Sequence, residues 1–405
     1  MSDAILMRLR HALGEAAVEL AANGQPRATP DSSDGIALVC GLAHEQGWRV
    51  RVEGQGTWMP GDAPADLALS TRGLARIVDI APADLVATVE AGVPLALLQR
   101  ELDARGAWLA LDPPGRPERS LGSAVATGTA GPLRHGFGGV RDHILGGSIV
   151  TGDGRAIKAG GSVVKNVAGY DLTKLQVGGF GAFGVITQLH LRLRARPAER
   201  VTLLARGERD LLSHQARTLM EKGVAAAALE LLSPALAELP EWVLALEIAG
   251  TGAAVAAEVE RTTESAEVAW TALPPGAAGA FWSAAARGPE SGELTFRLGV
   301  FPDGLDEMID LLAERLDTRL VSAGPGRGLL RWSGTASLEA LRTLRRVAAE
   351  REIPLTLERA PWPLRHAFGH FGAYREGVGR LVAKLRSSFD PDPTFAVALE
   401  GTEHG

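Results

Sequence analysis

Apolar and polar positions alternate in short runs over the first 195 residues of the chain. Strict alternation or a short apolar run predicts a β-strand, whereas apolar residues three and four positions apart predict a helix. We therefore predict strands at 49–53, 66–70, 74–80, 86–91, 148–151, 155–158 and 185–193. Helical spacing covers 6–20, 31–44, 94–105 and 171–176.

The pattern changes at residues 196–200, whose sequence RPAER is typical of a domain boundary. Beyond it glycine becomes rarer and the helices become longer. Strands are predicted at 201–205, 226–232, 242–248, 294–299, 319–323 and 328–333. Helices are predicted at 209–222, 252–264, 304–316 and 336–350, with a last helix at 375–388. The double repeat of strand, helix, strand, strand and helix predicts a small, ferredoxin-like α+β domain.

These patterns predict an α+β protein in three parts. A chain of 405 residues is too long for one ordinary core. We assign residues 1–197 to a first domain and residues 198–372 to a cap domain. Residues 373–405 are predicted to form a helix and a tail that return to the first domain.

Composition excludes several classes of protein. The formal net charge is −6, whereas a nucleic-acid-binding protein favours a basic surface. Cys40 is the single cysteine, so the chain alone cannot hold a cysteine-ligated iron–sulfur cluster. No run of 18 uncharged apolar residues occurs, and we predict no transmembrane segment. The N-terminal pattern is that of a surface helix and not of a signal peptide, so we expect a cytoplasmic protein, if membrane-associated then only through partners.

Glycine is concentrated between residues 52 and 185, and the chain has 49 glycines in all, against about 7% of residues in average proteins. The turn at residues 54–57, GQGT, follows a predicted strand. Amides that such a turn leaves unpaired form a concave anion site, although a surface hairpin would look the same. A second glycine-rich tract at 112–131 favours the anion site, because an elongated cofactor needs close backbone approach at several points.

Residues 179–184, GFGAFG, satisfy the G-x-G-x-x-G pattern of dinucleotide-binding folds. That pattern requires a strand before it and a helix after it. Here the order is reversed, since a predicted helix precedes the glycines and a strand follows them. We therefore interpret these glycines as turn and packing residues.

Several segments resemble one known family. They are DPP at 112–114, VRD at 140–142, VKNVAGYD at 164–171 and VGGFGAFGVIT at 177–187. They resemble the glycolate oxidase and D-lactate dehydrogenase branch of the vanillyl-alcohol-oxidase-type, or PCMH-type, FAD-binding family. Within that branch the resemblance is strongest to the FAD-binding E subunits of bacterial glycolate oxidase. It is close from about residue 48 to 197 and thin over the cap.

The resemblance implies a PCMH-type FAD-binding domain of two subdomains, followed by the cap. It implies that the FAD pyrophosphate is bound by Gly54, Gln55, Gly56 and Thr57. It also implies that the rest of the cofactor is lined by Pro113, Ser120, Gly122, Thr127, Gly128, Thr129, Ala130, Gly181, Gly184, Val185 and Ile186. Relatives that bind FAD covalently carry a histidine just after the first turn. Residues 57–61, TWMPG, contain neither His nor Cys, so non-covalent FAD is expected.

The sequence also departs from the family. Glu53 and Gln55 stand where relatives more often have Arg and Gly, and Phe180 replaces a usual acidic residue. The common ending Asn-Pro-Gly-Arg is missing after residues 390–391. Catalytic relatives carry a metal-binding His-x-Gly-Asp-Gly-Asn-x-His motif in the cap, where this chain has only FGHFG at 368–372. We therefore predict no metal site, and substrate chemistry by this chain alone stays open.

Oxidation of a 2-hydroxy acid by a flavin requires a base for the hydroxyl proton and a cation for the carboxylate. His135, close to the second glycine tract, is the candidate base, and the alternative is an exposed loop histidine. His366 and His370 lie four residues apart and could bind a metal from one helix face. Solvated or capping histidines are the favoured interpretation of that pair.

The favoured hypothesis is an oxidoreductase: the FAD-binding subunit of a glycolate oxidase complex, which converts glycolate to glyoxylate. The chain would serve electron transfer or assembly beside a catalytic sister flavoprotein subunit and an iron–sulfur subunit. A small 2-hydroxy acid would be the substrate of the complex. The alternatives are a stand-alone FAD-dependent dehydrogenase of D-lactate or a related 2-hydroxy acid, and a flavin-free scaffolding subunit.

Overall fold

The computed structural model describes residues 2–161, 172–274, 276–286 and 294–399. Helices of the first half are α1 (Ser2–Leu13), α2 (Ser33–Gln46), α3 (Leu95–Asp103), α4 (Leu121–Thr127), α5 (Arg134–Phe137) and α6 (Leu172–Leu175). Its strands are β1 (Val18–Leu20), β2 (Pro26–Ala28), β3 (Val50–Glu53), β4 (Leu67–Ser70), β5 (Ile77–Ala81), β6 (Val86–Glu90), β7 (Ala107–Trp108), β8 (Ile144–Val150), β9 (Ala156–Gly160), β10 (Val185–Arg192) and β11 (Arg194–Ala195). Short 3-10 helices lie at Glu15–Ala17, Thr71–Gly73 and Val140–His143.

The second half begins with β12 (Glu199–Gly207). Its other strands are β13 (Ala228–Leu232), β14 (Trp242–Gly250), β15 (Trp270–Ala272), β16 (Leu294–Gly299), β17 (Asp317–Gly324), β18 (Leu329–Thr335) and β19 (Leu355–Arg359). Its helices are α7 (Arg209–Glu221), α8 (Pro234–Ala237), α9 (Gly252–Glu264), α10 (Ala277–Ala285), α11 (Leu305–Arg315), α12 (Leu338–Glu350), α13 (Trp362–Phe368) and α14 (Val378–Phe389), with a 3-10 helix at Pro302–Gly304.

The first half of the chain folds around two larger sheets, and β7 and β11 form a separate two-stranded antiparallel pair. In one, β2, β4 and β3 are parallel and β1 pairs antiparallel with β2. Helix α2 covers this sheet with a stripe of residues at helical spacing, Ile36, Val39, Cys40 and Ala43, all fully buried. The other sheet is antiparallel in the order β5-β6-β10-β8-β9. The two larger sheets correspond to the two subdomains that the family resemblance implies.

The second half forms one antiparallel sheet in the order β15-β12-β14-β13-β17-β18-β16-β19. The chain passes through β12-α7-β13-β14-α9-β15 and then repeats that order through β16-α11-β17-β18-α12-β19. Each repeat is a ferredoxin-like unit, and the two join edge to edge where β13 pairs with β17. The predicted α+β class and the ferredoxin-like cap are confirmed, while the domain limits themselves stay a prediction.

The predicted helix at 6–20 is wrong in its second half. Helix α1 ends at Leu13, and Gly14 has a φ of +90°, a left-handed conformation that stops the helix. The chain then turns into β1. Strands β1 and β2 have three residues each, too few for period-two alternation to be recognised, so the sequence did not predict them. Residues 121–127, within the second glycine-rich tract, were not predicted as a regular element and form the helix α4.

The C-terminal tail returns to the first domain as an added strand-like segment. Phe395 lies beside Val50 of β3, and the amide of Val50 donates to the carbonyl of Thr394 at 2.7 Å. The Asp390 carboxylate accepts hydrogen bonds from the amides of Thr394 and Phe395 at 2.9 and 3.1 Å. This carboxylate therefore fixes the turn at the position where the usual family ending is missing.

Ionic groups hold the cap against the first domain. The fully buried Glu358 carboxylate pairs with Arg297 at 3.0 Å and with Arg331 at 2.8 Å. Burial alone would raise the pKa of Glu358, but the two arginines hold it below its usual value. The same arginines donate to carbonyls of the first domain, Arg297 to Gly128 at 2.8 Å and Arg331 to Ala130 at 2.9 Å. The buried carboxylate thus orients two guanidinium groups across the boundary.

Glu230, on β13, makes the stability of the protein depend on pH. Burial raises the pKa of its carboxyl from 4.5 to about 7, and Ser322 donates to it at 2.6 Å. Between these two pH values the folded state holds a proton that the unfolded state has lost, so this group makes the fold less stable as pH rises. The Glu230→Gln variant lacks this titration. We therefore expect the difference in free energy of unfolding between the variant and wild type to grow in favour of the variant, by up to about 3 kcal/mol from pH 4.5 to pH 7.

Denaturant unfolding of both proteins across this pH range measures the difference directly, and the titration of groups that do not interact with Glu230 cancels from it. A glutamine can still accept the Ser322 hydrogen bond, so the neutral form is closely matched. A difference that stays constant across the pH range would contradict the prediction.

Candidate functional site

A cavity of about 560 Å³ lies between the two subdomains and is closed by parts of the cap and of the C-terminal tail. Three glycine-rich segments of the first domain line it: residues 54–57, residues 122–127 and residues 180–186. The cap contributes Arg365 and His370. The cavity therefore lies where three separate backbone segments approach one another.

The turn after β3 leaves main-chain donors without partners. Gly56 has a φ of +69°, a conformation that favours glycine. The Gln55 side chain donates to the carbonyl of Gly92 at 2.9 Å and so anchors the turn. Within the described residues, the amides of Gln55, Gly56 and Thr57 donate to no other group. Unpaired amides in a concave turn are a binding site for an anion such as a pyrophosphate.

The negative charge of Glu53, just before this turn, is balanced by two arginines. Its carboxylate lies 2.8 Å from Arg27 and 3.7 Å from Arg51. All three residues line the cavity, together with Arg72 and Arg365. Four guanidinium groups face three carboxylates here, because Arg27 also pairs with Glu19 and Arg365 with Asp62. An excess of positive charge therefore remains beside the turn, and the charge of Glu53 is paired.

Removal of Arg27 should uncover the charge of Glu53. We expect Arg27→Ala to weaken FAD binding about fivefold, a loss of about 1 kcal/mol. The double variant Arg27→Ala, Glu53→Gln should return to within about twofold of wild type, because it lacks both charges. Titration of the apoprotein with FAD by fluorescence measures both constants. Equal weakening in the single and double variants would contradict this account.

The second glycine tract contributes fewer lining residues than predicted. Gly122 and Thr127 line the cavity. Pro113, Ser120, Gly128, Thr129 and Ala130 do not contact it.

These residues have structural contacts of their own. The Ser120 hydroxyl accepts from the amide of Ser123 at 3.3 Å and begins helix α4. The carbonyls of Gly128 and Ala130 accept from Arg297 and Arg331 of the cap. Segment 128–130 thus contacts the cap across the boundary between the two domains.

Arg119 donates hydrogen bonds to the hydroxyl groups of two residues that were predicted to line the cofactor. It is buried and donates to the hydroxyls of Thr127 and Thr129, each at 2.6 Å. Its guanidinium also lies 4.2 Å from the centre of the Trp58 ring, and Trp58 lines the cavity. Arg119 therefore positions the cavity wall from behind, a role that the glycine pattern did not reveal.

The third segment brings Gly181, Gly184, Val185 and Ile186 to the cavity, and their contact with FAD stays a prediction. Gly181 and Gly184 have φ values of +81° and +130°. A Cβ at Gly184 would lie 2.7 Å from the carbonyl oxygen of Val150, so a side chain cannot be accommodated there. The glycines that imitate a dinucleotide fingerprint are needed for this turn. The motif at 164–171 lies outside the described residues.

The candidate base His135 does not line the cavity. Its ring packs near Gly326, where a Cβ would come within 2.3 Å of it, and its carbonyl accepts from Arg327 at 2.6 Å. Burial, with the charge of Arg327 nearby, lowers the pKa of His135 to about 4. Its surroundings are those of a residue at the boundary with the cap.

His366 and His370 have different environments. His366 is exposed on α13, whereas His370 is buried and lines the cavity. Across the described ranges, no group of three or more His, Cys, Asp or Glu side chains is placed to hold a metal ion. None of the described helices has the length and apolar character needed to cross a membrane.

Residues 25–160 match the model of an FAD binding domain. The chain carries an FAD-binding domain over these residues. FAD is its cofactor, and the unpaired amides, the left-handed glycines and the four arginines of the cavity fit the diphosphate and close backbone approach that FAD requires. This FAD-binding domain contains two of the three segments that line the cavity.

The chain is similar in sequence to subunits of glycolate oxidase. It is 42% identical to glycolate oxidase subunit GlcE of Escherichia coli over 128 residues, 31% of this chain and 37% of that protein. It is 30% identical to subunit GlcD of Bacillus subtilis over 179 residues, 44% of this chain and 38% of that protein. A D-lactate dehydrogenase of Archaeoglobus fulgidus is 32% identical over 168 residues, 40% of this chain and 37% of that protein. The matched stretch spans well under half of each relative.

Solved structures share the fold over nearly the whole chain. A 4-ethylphenol oxidase from Gulosibacter chungangensis has a TM-score of 0.74 at 14% identity, covering 99% of this chain and 97% of its own. An alkyldihydroxyacetonephosphate synthase has a TM-score of 0.73 at 12% identity, covering 98% of this chain and 85% of its own. At these identities the likeness establishes the fold alone.

Proposed function

We propose that this protein is the FAD-binding subunit of a glycolate oxidase complex, that it binds FAD non-covalently, and that it serves electron transfer or assembly. The observation that carries the proposal is the cavity, whose unpaired amides at residues 55–57 belong to the residues that match the FAD-binding-domain model. Such a complex would convert glycolate to glyoxylate, and FAD would act as a two-electron acceptor in it.

The ionisable groups around the cavity favour electron transfer over substrate oxidation by this chain. Oxidation of a hydroxy acid needs a group that accepts the hydroxyl proton near neutral pH. Glu53 is engaged by Arg27 and Arg51. Burial lowers the pKa of His370 to about 4, and His135 lies elsewhere. His370 is therefore a poor proton acceptor near neutral pH, and Glu53 is held in ion pairs.

Non-covalent binding is supported by the residues that follow the first turn. The loop at 58–61 contains no His or Cys, and Cys40 is buried under the parallel sheet. The Nδ1 atom of His370 is already bonded to the carbonyl of Leu357. Acid precipitation should consequently leave the flavin in the supernatant, and flavin retained in the pellet would contradict this part of the proposal.

Electrons from the reduced cofactor must leave the chain through another protein or a diffusible acceptor. With Cys40 alone, the chain cannot hold an iron–sulfur relay. We therefore propose a catalytic sister flavoprotein subunit and an iron–sulfur subunit as its partners.

A stand-alone FAD-dependent dehydrogenase of D-lactate or a related 2-hydroxy acid is the second candidate. Its supporting observation is the set of four arginines that line the cavity, Arg27, Arg51, Arg72 and Arg365, because a guanidinium group binds a carboxylate well. A flavin-free scaffold is disfavoured, since no described side chain fills the cavity.

Anaerobic addition of glycolate or D-lactate to the purified, FAD-loaded chain separates these candidates. The proposal expects the flavin absorption band to persist with the chain alone and to bleach when the sister and iron–sulfur subunits are co-purified with it. Bleaching of the isolated chain would instead establish the stand-alone dehydrogenase. A chain that does not bind FAD on reconstitution would establish the flavin-free scaffolding role.

A further inference from the structure

His370 and Phe180 form a stacked pair in the cavity wall. Their ring centroids are 3.8 Å apart and their planes differ by 13°. Phe371 contacts Phe180 edge-on, with centroids 5.8 Å apart. The His370 side chain is only 2% exposed, yet it lines the cavity with Phe180. The imidazole is thus held in one orientation by neighbouring rings.

The main chain determines which nitrogen of His370 carries the proton. The Nδ1 atom lies 2.8 Å from the carbonyl oxygen of Leu357, and because a carbonyl only accepts, Nδ1 must donate. Burial lowers the pKa of the ring to about 4, so the ring is neutral near pH 7. A neutral imidazole protonated at Nδ1 has a lone pair at Nε2. No donor among the described residues bonds to this Nε2 atom.

We propose that His370 is a binding residue for FAD and that its Nε2 atom accepts a hydrogen bond from an N–H or O–H group of the cofactor. The proposal rests on the binding of FAD in this cavity. FAD has such donors on its flavin-ribityl part and on its adenosine part, and the experiment distinguishes the two.

The identity of residue 180 supports this role. A carboxylate at this position would lie against the imidazole and favour its protonated form, because a nearby opposite charge raises a histidine pKa. A protonated ring has donors at both nitrogens and no lone pair. Phe180 provides a neutral partner instead, even though its φ of +52° is unusual for a residue with a side chain. The stack therefore preserves the acceptor.

The variant His370→Phe keeps an aromatic ring against Phe180 and removes the acceptor. We expect its dissociation constant for FAD to rise about three- to tenfold, measured by flavin fluorescence. His366→Phe is the matched control, since His366 is exposed and does not line the cavity; its constant should stay within about twofold of wild type.

Two fragments of the cofactor separate a lost hydrogen bond from general damage to the cavity. ADP and FMN each carry one of the two groups of donors. Weaker binding of only one fragment by His370→Phe supports the proposal and identifies the donor. Equal weakening of both fragments, or FAD binding within twofold of wild type, overturns it. Failure of the wild-type protein to bind FAD would overturn the FAD site as well.

Nitrogen-15 NMR of histidine-labelled apoprotein tests the tautomer independently of affinity. We expect one histidine to be protonated at Nδ1 and unprotonated at Nε2 near pH 7, to disappear in His370→Phe, and to shift at Nε2 when FAD is added. A ring protonated at Nε2, or an Nε2 resonance unaffected by FAD, overturns the proposal.

Discussion

Replacement of Arg119 by alanine is expected to lower the free energy of unfolding by about 3–5 kcal/mol and to weaken FAD binding at least about tenfold. The guanidinium donates to the hydroxyls of Thr127 and Thr129 and to the carbonyl of Pro114. Without it, these buried oxygens lose a charged donor, and unsatisfied buried polar groups are costly. The space beside Trp58 would also become a cavity.

FAD binding should decline with stability because two of the groups that Arg119 orders, Trp58 and Thr127, line the cavity. Urea unfolding followed by tryptophan fluorescence measures the first effect, and FAD titration measures the second. Arg116→Ala is the matched control: Arg116 is exposed three residues away, and its loss should change stability by less than about 0.5 kcal/mol. An Arg119→Ala protein as stable as this control would contradict the assignment.

The main-chain part of the site could be predicted from the sequence. Local sequence is enough to recognise the turn at 54–57, Gly122 and the segment at 181–186. Glycine is required where the chain takes a left-handed conformation or approaches another backbone. The family resemblance adds the identity of the cofactor. The cap could also be predicted from local sequence, since the apolar residues of its helices and strands have clear periodicity.

The remaining features depend on contacts between distant residues. The Arg119 guanidinium donates to the Thr127 and Thr129 hydroxyls because a buried guanidinium needs hydrogen-bond acceptors. The positions of the threonines in the sequence do not show that Arg119 competes with a cofactor for these hydroxyls. His370 reaches the cavity from the cap, nearly 200 positions beyond Phe180. The motif FGHFG at 368–372 was the available signal for it, but its spacing gave no indication of the stack with Phe180.

Gly92→Ala is expected to have an effect comparable to that of Arg119→Ala. A Cβ at Gly92 would lie 2.0 Å from the carbonyl oxygen of Thr71 and 2.7 Å from that of Leu74. Both obstacles are main chain, so no rotation of a side chain can relieve the clash. The amide of Gly92 also donates to Leu74 at 2.9 Å. Overpacking of this kind typically costs about 1–3 kcal/mol or more, and with backbone atoms on both sides we expect about 3 kcal/mol.

The same substitution should also impair the FAD site, because Gly92 connects two of its walls. Its carbonyl accepts from Gln55 of the first turn at 2.9 Å, while Thr71 lines the cavity on the other side. Movement of residue 92 must therefore displace at least one of them. Gly41→Ala is the control, since no atom lies within 4 Å of its Cβ position in α2 and alanine favours a helix by up to about 1 kcal/mol. If both alanine variants bind FAD with equal affinity, the cavity does not depend on the close approach at Gly92, and the anchoring of the first turn must be assigned to other contacts.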